Sequence, residues 1–227
     1  MSRQCLPVLL TRPEEGSVRF AARLKGHVVR SPLLKPRFLE AHLPRAEGLV
    51  LTSAVAIMAL RGARPALRAW CVGDRTAEVA RKAGFDACSA QGDAEALFRL
   101  ILDSGENGPL LHPRGRESRG DLGRRLTTAG IPTTEAILYE MIPHPLSSEA
   151  RALLDGPVVV PLFSPASARR FLEVAGGARP VFACLSEAVA AVLPPDAARH
   201  VAARPDAAAM VELVTLLQRL ETSPVQS

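Results

Sequence analysis

Small hydroxyl residues and glycines recur in this sequence at one kind of place. Thr11-Arg12, Thr52-Ser53, Gly73-Asp74-Arg75-Thr76, Arg114-Gly115 and Ser164 each stand where an apolar run ends and a helical pattern begins. At such a junction the first N–H groups of the helix lack an internal partner, and the helix dipole favours negative charge. With hydroxyls and a guanidinium nearby, the junction suits an anion such as a carboxylate. The same residues also serve as plain helix caps, and a single junction leaves the two readings level. Five of them favour the anion. The chain also has one tyrosine, Tyr139, at the end of a predicted strand. A lone tyrosine is usually a packing residue with its hydroxyl at the rim, and proton donation is the alternative here.

Other chemistries find no support in the residue pattern. GxGxxG after the first strand, GxxxxGK[ST] and GxSxG are all missing, so neither a nucleotide cradle nor a nucleophile elbow is predicted. Cys5, Cys71, Cys88 and Cys184 lie far apart, and the five histidines are equally scattered. No metal is therefore expected.

The elements that must position these junctions alternate along the chain. Strands are expected over 7–11, 48–52, 69–72, 85–88, 110–112, 134–141, 158–163 and 181–184, with a weak one at Val201. Helices are expected over 14–24, 54–60, 76–83, 94–102, 119–128, 166–174, 188–192 and 207–220. Strands alternating with helices of about ten residues imply an α/β fold, with parallel sheets covered by helices on both faces. Two segments break the rhythm, Ser31–Pro36 and Glu140–Pro145, and each carries two prolines. Proline bars helix and central strand alike, so both read as extended connectors.

Connectors placed so imply two α/β lobes. One is built from 1–33 plus 146–227 and the other, inserted, from 42–138, with 34–41 and 139–145 joining them. A weak repeat agrees: Leu49–Ser53 and Val160–Ser164 are each followed by a helix and by a second strand carrying a cysteine.

The bulk numbers set the class. Hydrophobic residues make up 48% and charged residues 22% of 227, which suits a globular chain. No apolar run approaches the roughly 20 residues that span a bilayer, and Leu6–Leu10 is too short for a signal core. A cytoplasmic protein without membrane contact is expected. Of 28 basic residues only Lys25, Lys35 and Lys82 are lysines, and the net charge is +5. The arginine excess reads either as a solvated surface or as a match for a polyanionic ligand. Nucleic acid fits poorly, because the arginines are not striped and aromatics are only 4%.

At these residues the sequence resembles the uroporphyrinogen-III synthase family. The resemblance is carried by VLLTRP (Val8–Pro13), LVLTSAVAIMAL (Leu49–Leu60), CVGDRTAEVARKAGF (Cys71–Phe85), LLHPRGRESRGDLGRRLTTAGI (Leu110–Ile131), AILYEMIP (Ala136–Pro143) and LFSPASARRF (Leu162–Phe171). It implies two flavodoxin-like parallel-sheet lobes joined by a two-stranded β connector. The implied reaction cyclises the linear tetrapyrrole hydroxymethylbilane with inversion of its last ring and loss of water, and it uses no cofactor. The implied partners are this octacarboxylate substrate and, in passing, the preceding enzyme of the pathway. By the same resemblance Tyr139 protonates the departing hydroxyl, while Ser53, Thr76 and Ser164 hold carboxylates. Thr11, Arg12, Thr52, Gly73, Arg114, Gly115 and Ser186 complete the expected substrate-binding set. Ser186 is the one hydroxyl left at 185–189, where many relatives have a Gly-x-Thr-Thr turn. The competing reading is a two-lobed protein that binds an anionic metabolite and catalyses nothing.

Overall fold

A computed structural model describes residues 5–60, 67–117 and 120–219. In chain order its elements are β1 (Val8–Leu10), α1 (Glu14–Ala21), β2 (Val28–Arg30), β3 (Leu34–Phe38), β4 (Gly48–Leu51), α2 (Ala54–Ala59), β5 (Arg68–Cys71) and α3 (Asp74–Lys82). Then come β6 (Asp86–Ser89), α4 (Ala94–Asp103), β7 (Leu110–Gly115), α5 (Leu122–Thr128), β8 (Thr133–Pro143), α6 (Ser148–Leu153) and β9 (Val159–Leu162). The last are α7 (Pro165–Val174), β10 (Val181–Cys184), α8 (Glu187–Ala190), β11 (Arg199–Val201) and α9 (Ala207–Gln218). The chain forms two compact units, Met1–Lys35 with Pro143–Ser227, and Pro36–Ile142.

The first unit holds a sheet ordered β11-β10-β9-β1-β2, in which every registered pair is parallel. Its central strands are apolar at every position because both faces are covered. Alternation sends Leu9, Val160, Leu162, Phe182 and Cys184 into one core with Ala150 of α6 and Phe171 of α7. The opposite face gathers Val8, Leu10, Val159 and Ala183 with Phe20 of α1 and Met210 of α9.

The second unit holds a sheet ordered β3-β8-β7-β4-β5-β6. Leu49, Leu51, Ala69 and Cys71 pack with Ile57 of α2 and Ala77 of α3 on one face. Val50, Trp70 and Leu110 pack with Leu97 of α4 and Leu126 of α5 on the other. The proline-rich segments run into the paired strands β3 and β8. Pro36 lies in β3, which stands last in the sheet order of the described residues, and Pro143 closes β8.

Several expectations change in the structure. A strand and a helix appear that the sequence pattern did not suggest, β2 and α6, which have only three and six residues. The strand expected to end at His112 runs on through Pro113 and Arg114 to Gly115. The following helix starts at Leu122, and the Arg119 expected to open it lies outside the described residues, as does Leu220 of the last helix. Asp74 rather than Thr76 opens α3, so Thr76 sits inside its first turn.

Each sheet contains a proline where strand order reverses. In the first unit the chain runs from β1 to β2 on one side and from β9 to β10 and β11 on the other. Val159 gives its N–H to Pro7 of the segment entering β1, so the Pro161 nitrogen also faces β1 and has nothing to donate. The β1–β9 ladder registers at Val8↔Val159 alone, whereas β9–β10 registers through four pairs. In the second unit the reversal lies between β4 and β7. Leu110 donates to Pro132 on the β8 side, so the Pro113 nitrogen faces β4, and that ladder stops at Leu49↔Leu111. Both sheets therefore part at the carboxyl ends of the strands flanking the reversal, where open α/β sheets bind ligands.

Phe171 is fully buried and meets Phe182 edge to face at 5.7 Å. Phe171→Ala is expected to lower unfolding stability by about 3–5 kcal/mol, read from denaturant midpoints. A loss below about 1 kcal/mol would show that this core can collapse around the gap.

Candidate active site

The parting of β4 and β7 opens into a cavity of about 490 Å³ within the second unit. Thr52 and Ser53 reach it from the end of β4, His112 and Gly115 from β7, and Tyr139 from β8. Arg116 and Glu117 enter from the turn after β7, and Asp121 and Arg125 from the start and body of α5.

Ser53 is the N-cap of α2, and its hydroxyl accepts the Val55 N–H at 3.2 Å. Next to it, Thr52 Oγ1 lies 3.3 Å from His112 Nε2, across the gap where the β4–β7 ladder has ended. His112 is 3% exposed, and burial holds its pKa below the ordinary histidine value although Glu135 pulls the other way. Glu135 stands directly across the β7–β8 register from His112, with Oε1 3.5 Å from Nδ1. Its Oε2 accepts the Arg114 Nε–H at 2.7 Å. A side chain at Gly123 would come within 2.8 Å of Glu135, so this carboxylate lies against bare backbone.

Tyr139 owes its place to a bulge. Between Arg114 and Gly115 the register slips, so β8 takes two steps, Ile137 to Tyr139, for one step of β7. The Arg116 N–H then bonds the Tyr139 carbonyl at 2.9 Å. The ring is 9% exposed and lies on Gly115, where a Cβ would stand 2.8 Å from Cε2.

Two arginines line the cavity beside the carboxylates of Glu117 and Asp121. Arg116 Nε donates to Glu140 at 2.8 Å, and Arg37 bonds the other oxygen of that carboxylate. The hydrogen bonds from Arg37 and then Arg116 hold Glu140 below the usual carboxylate range. Arg125 donates to Glu95 at 2.6 Å and lies over the Phe98 ring at 4.2 Å. Both guanidiniums are thus steered by partners outside the cavity wall and keep further N–H groups.

The expected site residues fall into separate groups. Thr52, Ser53, Gly115 and Tyr139 share this cavity. Arg114, on the same strand, is committed to Glu135 and the Gly115 carbonyl. Gly73 is the N-cap of α3 with open space around it, and Thr76 is buried in that helix's first turn. They stand at the neighbouring junction, outside the cavity lining.

Thr11, Arg12, Ser164 and Ser186 belong to the first unit, at the carboxyl ends of β1, β9 and β10. Thr11 is buried, and Arg12 lies over the Phe163 ring at 4.1 Å. Burial, followed by repulsion from Arg19, lowers the Arg12 pKa. Ser164 forms a capping box with Ser167, and Ser186 caps α8 with no side-chain hydrogen bond. Sequence reasoning missed His112, Arg116 and Arg125. A histidine inside the apolar run Leu110–Pro113 was the available signal for the first.

Among the described residues, no cluster of three or more His, Cys, Asp or Glu side chains could hold a metal ion. Among them, too, no helix is long and apolar enough to cross a membrane.

The family model described as Uroporphyrinogen-III synthase HemD matches residues 18–212. This chain belongs to the uroporphyrinogen-III synthase family. Among solved structures it is similar to the uroporphyrinogen-III synthetase of Helicobacter pylori 26695, with 17% identity, TM-score 0.64, and coverage of 93% of this chain and 100% of that one. It also matches a mutant uroporphyrinogen III synthase of the extremely thermophilic bacterium Thermus thermophilus, with 13% identity, TM-score 0.44, and coverage of 95% and 100%. The first likeness is one of fold, two lobes with mostly parallel sheets. In this family setting, Tyr139 and its glycine floor are the features that mutation can probe most directly.

Gly115→Ala is expected to push the Tyr139 ring off its seat and expose it. The protein has a single tyrosine and a single tryptophan, Trp70, so the tyrosine bands of ultraviolet difference spectra, read apart from the indole band, come from that ring. An unchanged spectrum would contradict the close approach.

His112 supplies a pH test. Its folded pKa is depressed, so below about pH 6.5 the unfolded chain takes a proton that the folded ring refuses. Stability from this group is therefore present above pH 6.5 and is lost as pH falls toward the folded value. His112→Gln is expected to flatten that part of the acid slope in denaturation series between about pH 7.5 and 5. An identical slope in the variant would assign the loss to other groups.

Proposed function

We propose that this chain catalyses the reaction of its family, closing hydroxymethylbilane to uroporphyrinogen III with inversion of the last pyrrole ring. The family match over residues 18–212 carries this reading. The hydroxymethyl group takes a proton and leaves as water, giving an electrophilic azafulvene. The substituted carbon of the last ring attacks to form a spiro intermediate, which rearranges. A pyrrole carbon finally gives up its proton, so the net change is loss of one water. Uncatalysed closure at the free carbon gives the type I isomer, and the protein's task is chiefly to impose geometry.

Tyr139 is the proton donor in this proposal. The support is its place in the cavity, with a hydroxyl-bearing ring on a glycine floor beside two guanidiniums. Arg116, Arg125 and the N-cap region at Ser53 take acetate and propionate carboxylates, and Gly73 and Thr76 extend that set at the neighbouring junction. Thr11, Arg12, Ser164 and Ser186 offer a second carboxylate-binding set on the first unit. Arg114 acts through Glu135 and not on the substrate. Segments 34–41 and 139–145 serve as connectors between lobes built from 1–33 plus 146–227 and from 42–138. The setting is the cytoplasm, with transient contact to the enzyme that supplies the bilane.

Purified protein given hydroxymethylbilane is expected to yield mainly the type III isomer, whereas buffer alone yields type I. Type I alone would favour the reading of a binder without catalysis. Tyr139→Phe is expected to lower turnover by about a hundredfold or less, since this leaving group departs readily. Full type III turnover in that variant, with an unaltered melting temperature, would remove the acid role from Tyr139.

A further inference from the structure

Thr52 has one hydroxyl proton, and His112 determines where it points. Thr52 Oγ1 is 3.3 Å from Nε2. On the other side of the ring, Nδ1 is buried without an aligned hydrogen-bond partner, and Glu135 Oε1 lies 3.5 Å away. A neutral imidazole carries its proton on one nitrogen and a lone pair on the other. A lone pair on Nδ1 would face a carboxylate already engaged with Arg114, whereas a proton there is attracted to it. This favours the Nδ1–H tautomer, in which bare Nε2 can only accept. Thr52 must donate to it, which leaves only oxygen lone pairs for the cavity.

Burial favours the neutral ring. The charged groups around it are Glu135 from β8 and Arg114 from its own strand. Arg116 and Glu117 after β7, and Asp121 and Arg125 at α5, line the same cavity.

We propose that His112 is a positioning residue that fixes Thr52 as a hydrogen-bond acceptor, and that Thr52 receives a pyrrole N–H of the substrate and not a carboxylate. The proposal rests on the tetrapyrrole reading above and refines it. A carboxylate at this spot would meet lone pairs, so the acidic side chains turn to Ser53, Arg116 and Arg125. A pyrrole nitrogen is then anchored between them. This gives the cavity a way to set the face of a ring as well as the place of its substituents.

Two experiments on the full chain test this. In the free protein labelled with 15N-histidine, long-range 1H–15N spectra at pH 7 are expected to show His112 protonated at Nδ1 and bare at Nε2. Thr52→Val should shift the Nε2 resonance and so assign it. An Nε2–H tautomer, or a doubly protonated ring, overturns the proposal whatever the protein's activity.

The second experiment compares two ligands with eight carboxylates each, uroporphyrinogen III with four pyrrole N–H groups and zinc uroporphyrin III with none. Thr52→Val is expected to weaken the porphyrinogen about fivefold, Thr52→Ser to restore it, and neither to change zinc uroporphyrin binding. Equal weakening of both ligands would make Thr52 a carboxylate site and overturn the proposal. Failure of the unaltered protein to bind either ligand would instead overturn the tetrapyrrole reading, and the pyrrole assignment with it.

Discussion

A proline in a sheet's interior has no N–H to give, and the position of that missing donor decides where these two sheets open. Pro113 and Pro161 both turn their nitrogen toward the strand on the far side of the order reversal. A central strand ordinarily excludes proline because a ladder bond is lost. Here the loss coincides with the line along which the strands must separate for helices to leave on opposite faces. The remaining ladders hold the strands at their amino ends, at Val8↔Val159 and at Gly48↔Leu110 with Leu49↔Leu111. Past those points, side chains replace backbone pairing. In the second unit the first of them is the Thr52–His112 contact.

From that opening the charge arrangement follows. Two arginines at the cavity have their partners on the wall behind them: Glu140 behind Arg116, and Glu95 behind Arg125. Ion pairs partly open to water hold side chains in place with modest net stabilisation, and the guanidiniums keep N–H groups beyond those pairs. The guanidinium fork has five N–H groups, which lets one arginine serve a ligand carboxylate beside its partner's. Arg114 is different. Its partner Glu135 also faces His112, so its charge goes into setting that ring and not into the cavity.

The sequence disclosed the alternation of strands and helices, because strands buried on both faces leave continuous apolar runs such as Val8–Leu10 and Val158–Leu162. It disclosed the junctions at Thr52-Ser53 and Gly115 for the same reason, since small polar residues stand out where such runs end. β2 and α6 escape such a reading because three and six residues carry too little periodicity. β7 reads as shorter than it is because Pro113 looks like a breaker until the direction of its nitrogen is known. His112 is easily passed over because its partners are remote in sequence, Thr52 sixty residues before it and Glu135 across a register that only pairing defines. Arg116 and Arg125 are hidden in a chain rich in arginine, where only three dimensions separate those lining a cavity from those on a surface.

The bulge at Gly115 decides where the Tyr139 ring can lie. Strict alternation along β8 would carry Tyr139 on a fixed step from Ala136 and Leu138, which serve the core. One extra residue on β8 breaks that step, and the Arg116 N–H locks the shifted register through the Tyr139 carbonyl. The ring then needs a floor with no side chain, which Gly115 supplies on the partner strand. Backbone pairing and the bare Gly115 surface thus help to impose the position of the phenol. For a substrate that loses its hydroxyl readily and closes unaided to the wrong isomer, chemical force is not what is scarce. Under the proposed reaction, a tyrosine seated on the β7–β8 pairing and a threonine at the end of β4, lining one cavity, would supply what is scarce, which is orientation.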